Sequence, residues 1–141
     1  TPLIDYKANA ERLITLIDSN GTDADIEKYS ANLVAASKPI INGFIEKFPQ
    51  CQEYLTALSQ VADIIATLPL SEIESGYHSD GKLPKLTDAS CYHAKDLLVH
   101  PATVQAMAII GIEDVEQRKQ AKAEIVEVIS HFSQVELAYR S

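Results

Sequence analysis

One apolar stripe at helical spacing runs between residues 26 and 48 without a break in phase. Its members follow one another at intervals of three or four residues: Ile26, Tyr29, Leu33, Ala36, Ile40, Phe44 and Phe48. This spacing places them all on one face of an α-helix, whereas a half-buried strand would need an alternating pattern. The stripe therefore predicts one long helix over about 23–48. Pro39 lies inside it and removes one backbone hydrogen bond, so we expect a kink there.

Four further stretches carry the same periodicity and are predicted as helices over about 3–19, 50–67, 87–110 and 113–139. Pro101 falls inside the fourth of these and predicts a second kink. Most connections are short, which makes consecutive helices antiparallel neighbours. The sequence thus predicts an all-α fold, an up-and-down antiparallel bundle of four to five long helices kinked at Pro39 and Pro101. We expect a single domain over 1–141, given the length of the chain.

The connection over 69–86 is the exception among these short links. Residues 71–74 could form one capped turn, whereas residues 76–86 include two glycines, one proline and no helical periodicity. We therefore predict a long loop, and a loop of this length in a compact domain is more often functional than a short one. Thr87 is predicted to cap the helix that follows.

The charge balance narrows the classes of partner. The chain carries 12 basic and 20 acidic residues, for a net charge of -8. Because phosphate groups and anionic lipids attract positive charge, this balance argues against a nucleic-acid partner and against a membrane surface. It also favours solubility. No apolar run approaches the length of about 20 residues that a membrane span requires.

The two cysteines are predicted to be separate buried thiols rather than a bridge. Cys51 falls on the apolar face of the 50–67 helix, so a small core residue is its simplest interpretation. One bridge remains an alternative. The chain begins at Thr1 rather than Met, so we expect that something preceding it was removed, and no signal peptide is visible. The compartment therefore stays open, with the cytoplasm slightly favoured.

Several familiar motifs fail on geometry. Residues 76–82 fit G-x-x-x-x-G-K, but a helix precedes them and a leucine takes the place of the Ser or Thr that would hold Mg²⁺. Glu124 and Glu127 are three residues apart on the last helix. A solvent-exposed face is a simpler explanation for them than a catalytic pair of carboxylates. Di-iron bundles need Glu-x-x-His on two helices, whereas Glu127 and His131 are four residues apart.

The segment 87–101 concentrates reactive side chain types, yet helical geometry separates them. Cys91 and His93 point to different sides of a helix, which argues against a catalytic dyad. His93 and His100 lie two turns apart, roughly 10 Å along the axis, and cannot share one ion. A metal site would need His78 or His131 to come in from elsewhere. No Asp or Asn is placed in sequence to orient a histidine, so we predict no catalytic residue, metal or cofactor.

Two arrangements of this helix remain open. In the first, Cys91, Ala94 and Leu98 face the core, while Tyr92, Lys95 and Asp96 face water. In the second, His93, Leu97, His100 and Val104 line a groove beneath the 69–86 segment. The candidate ligand-binding residues are therefore the polar groups of that region: Tyr77, His78, Cys91, Tyr92, His93 and His100.

The functional expectation follows from what survives these tests. We predict a non-enzymatic helical module that binds another protein or associates with itself as a small homo-oligomer. The alternative is a binder of a small hydrophobic ligand or cofactor, held in a pocket between the kinked helices. The presence or absence of a pocket beneath the 69–86 segment is the observation that would best distinguish these two functions.

Overall fold

The computed structural model describes residues 1–86 and 88–140. It is all-α, as the sequence predicts, and no strand occurs within those ranges. The helices are α1 (Pro2–Asp18), α2 (Asp23–Lys47), α3 (Gln52–Gln60), α4 (Ala62–Ile65), α5 (Leu70–Ile73), α6 (Ala89–Ile110) and α7 (Val115–Arg140). A 3-10 turn (Pro49–Cys51) precedes α3, and a π-helical turn, the π turn (Glu74–His78), follows α5.

The four long helices close a bundle. Helix α1 packs against α2 and α7, and α6 packs against the same two helices. Short connections between α1 and α2 and between α6 and α7 make each of these pairs antiparallel. The shorter helices α3 to α5 and the π turn also contact α6. Helix α6 is therefore covered from several sides, and this burial brings its polar residues into the interior.

Side chains and backbone geometry define the helix ends. Thr22 caps α2 by accepting a hydrogen bond from Asp25 N at 3.1 Å, as the sequence predicts. Asn20, just before it, has a φ of 60°, the left-handed geometry typical of a helix stop. The predicted cap at Thr87 lies outside the described residues. Asp88 caps α6 by accepting from Ser90 N at 2.8 Å.

Pro39 lies inside α2 and Pro101 inside α6, and both helices continue through the proline, as the sequence predicts. A proline at position 101 has no N–H for the carbonyl of Leu97, four residues earlier. The Tyr6 hydroxyl donates to that carbonyl at 2.6 Å, in a contact between α1 and α6 that is fully buried. The aromatic ring of Tyr6 also stacks on Phe132 of α7, with ring centroids 6.1 Å apart. Tyr6 thus joins three of the four long helices at the site of the proline.

The predicted long loop over 69–86 is only partly correct: α5 lies where the sequence allows one capped turn over 71–74, whereas the π turn extends into the predicted loop from residue 76. Helix α5 and the π turn occupy 70–78, and only the remainder is irregular. Pro69 starts α5, and the π turn leads into two backbone bonds that bring Gly81 N to Ser75 O and Lys82 N to Gly76 O. These bonds fold the segment back over α6. The predicted helix over 50–67 is likewise divided, into α3 and α4, at Val61.

No helix among the described residues is both long enough and apolar enough to cross a membrane.

Candidate metal centre

The structure does not bring the six predicted ligand-binding residues together in one site. His78, on the π turn, meets His100 of α6, with ring centroids 5.0 Å apart. His93 faces His131 of α7 instead, with centroids 6.0 Å apart. Tyr92 is part-exposed, and its ring lies 4.1 Å from Lys95 Nζ. The remaining two, Tyr77 and Cys91, have structural roles described below.

Cys91 is not a free thiol. It forms a disulfide with Cys51, which corrects the prediction of two separate thiols. Both residues do lie in the core, as the apolar positions suggest. The partner could not be chosen from sequence, because the bridge depends on how α6 packs against the start of α3. The bridge also removes Cys91 from any ligand-binding role, since a disulfide sulfur has no thiolate to offer.

Lys95 and Asp96 lie in the interior, which overturns the interpretation that places them toward water. Lys95 is 0% exposed and Asp96 is 5% exposed. Polar partners offset the cost of burying the Lys95 ammonium, as a buried charge requires. Lys95 Nζ donates to Tyr77 O and His78 O, both at 2.8 Å, and to Asp80 Oδ1 at 2.9 Å. Tyr77 thus contributes its carbonyl oxygen here.

Three potential metal ligands converge from three different elements. His78 from the π turn, His100 from α6 and Glu124 from α7 each offer one ligand atom, and these atoms all lie within 4.8 Å of one another. The closest pair is His100 Nδ1 and Glu124 Oε2, which are in direct contact. His100 is buried, whereas His78 and Glu124 are partly exposed. The site therefore reaches from the interior to the surface.

Hydrogen-bond directions indicate which nitrogen of His78 is free. The Thr103 hydroxyl donates its single proton to Val99 O at 2.8 Å. It must then accept from His78 Nε2, which lies 2.9 Å away, so that nitrogen carries the proton. Burial lowers the pKa of His78, which favours the neutral ring. A neutral His78 with its proton on Nε2 has its lone pair on Nδ1, available to an ion.

Asp96 supports His100 from the opposite side. Its Oδ1 lies 3.5 Å from His100 Nε2. Within the described part of the chain, this buried oxygen has no hydrogen-bond partner by ordinary geometric criteria. A metal-bound histidine usually donates its second N–H to a carboxylate, which fixes the ring orientation. Asp96 is in position to accept that bond.

Opposing effects act on the titrating groups of this cluster. Burial tends to lower the pKa of His100, but the hydrogen bond and charge of Glu124 raise it, and the result is a pKa above the ordinary value. Burial also raises the pKa of Asp96. The raised pKa means that the Glu124 carboxylate favours the protonated form of His100 when no ion is bound.

A cleft of about 470 Å³ opens beside the cluster, beneath the 69–86 segment. It is lined by Leu70, Ser71, Glu74, His78, Thr103, Met107, Gln120, Ala123, Glu124 and Glu127. Of the six predicted ligand-binding residues only His78 lines it, and His93, Leu97, His100 and Val104, expected along such a groove, do not. Its lining differs from expectation, because three carboxylates border it and make it a poor match for a hydrophobic ligand.

Sequence reasoning missed two members of the site. Asp96 precedes His100 by four residues, a spacing that brings side chains together on a helix, so the statement that no acidic residue can orient a histidine is wrong. Glu124 was expected on a solvated face, yet it contacts His100. That contact depends on the register of α7 against α6, which no local pattern encodes.

Comparison of the chain with protein-family models, with curated proteins and with solved structures finds no match in any of the three.

Proposed function

We propose that this protein binds a divalent transition-metal ion through His78, His100 and Glu124. The observation that carries the proposal is the convergence of three ligand atoms within 4.8 Å, each from a different element. Exposed acidic groups often cluster without a ligand, but this group contains two imidazoles and one member that is buried. Bringing these side chains together in the interior has a cost that an ion would offset.

The distances between the rings suit one ion. Two imidazoles on one tetrahedral ion, with metal–nitrogen bonds of about 2.0–2.1 Å, have ring centroids roughly 5 Å apart. The His78 and His100 centroids are 5.0 Å apart. Two imidazoles and one carboxylate form a ligand set that suits zinc or ferrous iron rather than calcium or magnesium. Three protein ligands also leave a coordination position open toward the cleft.

Electrostatics support a cation in preference to other ligands. Glu74 and Glu127 line the same cleft as Glu124, and the chain as a whole carries a net charge of -8. The neutral state of His78, favoured by burial, avoids a positive charge that would repel the ion. A cation therefore fits this cleft better than the small hydrophobic ligand that the sequence suggests as an alternative. The function proposed for the protein is therefore metal binding, because these contacts imply no substrate.

Titration of chelator-treated protein with Zn²⁺, followed by calorimetry, tests the proposal directly. We expect one ion per chain, and at least roughly tenfold weaker binding in His100→Ala and in Glu124→Gln, since tenfold corresponds to only about 1.4 kcal/mol. His93→Ala is the matched control, because that histidine faces His131 rather than the cluster. Equal zinc affinity in wild type and His100→Ala would reject the site.

A second candidate function, self-association, is favoured by an apolar surface next to this cleft. Ile109, Ile110 and Val115 are 50%, 62% and 71% exposed around the turn from α6 to α7. Leu70, also exposed, lines a small pocket together with Ile110. Apolar side chains grouped at a surface are typical of interfaces. Light scattering tests this proposal, with Ile110→Glu expected to convert an oligomer to a monomer; a wild-type monomer at all concentrations would reject it.

A further inference from the structure

A buried lysine holds the segment that carries His78. Lys95 Nζ has three donors, and they are used by Tyr77 O, His78 O and Asp80 Oδ1 at 2.8, 2.8 and 2.9 Å. The two carbonyls belong to the last residues of the π turn, where intrahelical donors run out. One of them is the carbonyl of His78 itself. Lys95 therefore fixes the backbone from which the imidazole projects.

Helix α3 completes the arrangement from the other side. The Tyr54 hydroxyl donates to the same Asp80 oxygen at 2.6 Å. Burial and the neighbouring Asp80 raise the pKa of Tyr54, so the phenol stays protonated and remains a donor. Asp80 has a φ of 64°, an uncommon conformation for a residue other than glycine. Two donors on one oxygen hold Asp80 in that conformation; we call Tyr54, Asp80 and Lys95 the clasp.

The disulfide lies one helical turn from the clasp. Cys51 precedes Tyr54 by three residues, and Cys91 precedes Lys95 by four. The bridge thus fixes the distance between α3 and α6 next to the point where the clasp joins them. The clasp and the disulfide are thus adjacent links between α6 and the start of α3, and Asp80, two residues after the π turn, joins Tyr54 to Lys95 by accepting from both.

We infer that Lys95, supported by Asp80 and Tyr54, is a positioning residue that sets the metal affinity of His78 without touching the ion. The inference rests on the proposed metal function. A buried ammonium is costly even when it is paired, and one of its three bonds here goes to the backbone carbonyl of His78, a candidate metal ligand. The backbone is fixed by Lys95 and the ring by Thr103, so Nδ1 of His78 keeps one position relative to His100. Removal of the clasp lets that position vary.

Zinc titrations of chelator-treated variants test the inference. Lys95→Met keeps a long apolar side chain and removes the donors, and Tyr54→Phe removes a single hydroxyl. We expect roughly ten- to a hundredfold weaker zinc binding in Lys95→Met, the range for residues that orient metal ligands. Tyr54→Phe should weaken binding in the same direction by a smaller factor, and it keeps the test available if Lys95→Met does not fold.

A double-mutant comparison separates positioning from general loss of stability. In a His78→Ala background the clasp has no ligand to position, so Lys95→Met and Tyr54→Phe should leave the remaining zinc affinity unchanged. Tyr6→Phe is the matched control: it removes another buried hydroxyl that bonds α6, at Leu97 O, far in sequence from His78. It should leave zinc affinity unchanged in both backgrounds.

The visible spectrum of bound Co²⁺ provides a further test, because a role of Lys95 in stability alone would leave that spectrum unchanged. Co²⁺ bound by wild type should give the visible absorption of a low-coordinate site, and Lys95→Met should change that spectrum in protein that remains folded. An equal loss of zinc affinity with and without His78, or an unchanged cobalt spectrum, would overturn the inference while leaving the metal site standing. If wild type binds no zinc at all, the proposed function fails, and the inference falls with it.

Discussion

At the scale of the residue, three charged or titratable side chains of α6, Lys95, Asp96 and His100, lie in the interior of the bundle. Lys95 supports the π turn, Asp96 supports His100, and His100 meets Glu124. A polar group in the interior without a partner destabilises the fold, so these pairings restrict which residues can occupy the positions. Among these residues, His100 has the protonation state that can be measured most directly.

The titration of His100 should depend on Glu124. In the metal-free protein its pKa is raised above the ordinary value of about 6.5 by Glu124, against the effect of burial. Glu124→Gln removes that charge and leaves only Asp96 and Glu127 to oppose burial, so the pKa of His100 should fall. NMR titration of the imidazole resonances measures both values. A pKa that is the same in both proteins would contradict the contact.

The sign of the effect on stability follows from the same shift. A histidine with a raised pKa in the folded state stabilises the fold below its unfolded pKa, and this contribution is lost as the pH rises through the folded pKa. Glu124→Gln should therefore destabilise the metal-free protein more at pH 5.5 than at pH 8. Denaturant unfolding at the two pH values provides the check.

The Tyr6 hydroxyl should contribute to the free energy of unfolding, because Pro101 cannot donate a backbone hydrogen bond to the Leu97 carbonyl. Tyr6→Phe leaves the Leu97 carbonyl buried without a donor, which costs about 1–3 kcal/mol of unfolding free energy. In a Pro101→Ala background the new backbone N–H can donate to that carbonyl, so the cost of Tyr6→Phe should be smaller. A double-mutant cycle by urea unfolding measures the difference. Equal costs in the two backgrounds would show that the proline is irrelevant to the tyrosine.

At the scale of the element, the long helices could be predicted, whereas the short ones were visible at most as a possible turn over 71–74. Periodicity needs several turns to be visible, which α2 and α7 provide and the four-residue α5 does not. The π turn contains Gly76 and has no apolar repeat, so it was predicted as loop. The difference has a functional consequence, because ordered structure at 74–78 is what gives His78 a defined position.

The candidate site was predictable only as far as its local part. His78 and His100 were singled out because imidazoles near a long connection suggest a binding region. Asp96 was visible in principle from its spacing to His100. Glu124 and the partner of Cys91 depend on how separate helices pack, and such long-range register leaves no mark in any short stretch of sequence.

The disulfide should stabilise the arrangement of α3 and α6. Its sequence separation of 40 residues closes a large loop in the unfolded chain, and bridges of this kind contribute about 2–4 kcal/mol. A Cys51→Ser, Cys91→Ser double variant should lose that amount in urea unfolding, with lower zinc affinity if it loosens the clasp. Unchanged stability on reduction would show that the bridge does not constrain the chain.

At the scale of the whole molecule, the site joins elements that are otherwise far apart in sequence. The π turn, α6 and α7 each supply one ligand, and α6 is central to the bundle. An ion held by all three would cross-link the fold. Its binding energy would therefore appear as stability of the entire molecule, since an unfolded chain does not present the three ligands together.

Zinc should raise the unfolding temperature of the wild-type protein. At a free zinc concentration one hundred times the dissociation constant, linkage adds about 2.7 kcal/mol. Scanning calorimetry with and without a chelator measures the shift, and His93→Ala should show it in full. His100→Ala, which is expected to bind zinc at least roughly tenfold more weakly, should show a clearly smaller shift. A shift of equal size in His100→Ala would place the ion elsewhere.

The disulfide described above has a different consequence for a chain that is cut. Lys82 and Lys85 are exposed in the irregular segment between the π turn and α6, where trypsin can act. Such a cut would leave His78 on the N-terminal fragment and the other two ligands on the C-terminal one. Because Cys51 and Cys91 lie on opposite sides of the cut, the fragments would stay covalently joined. The nicked protein would migrate as one species without reductant and as two with it, and only the joined species would keep all three ligands together.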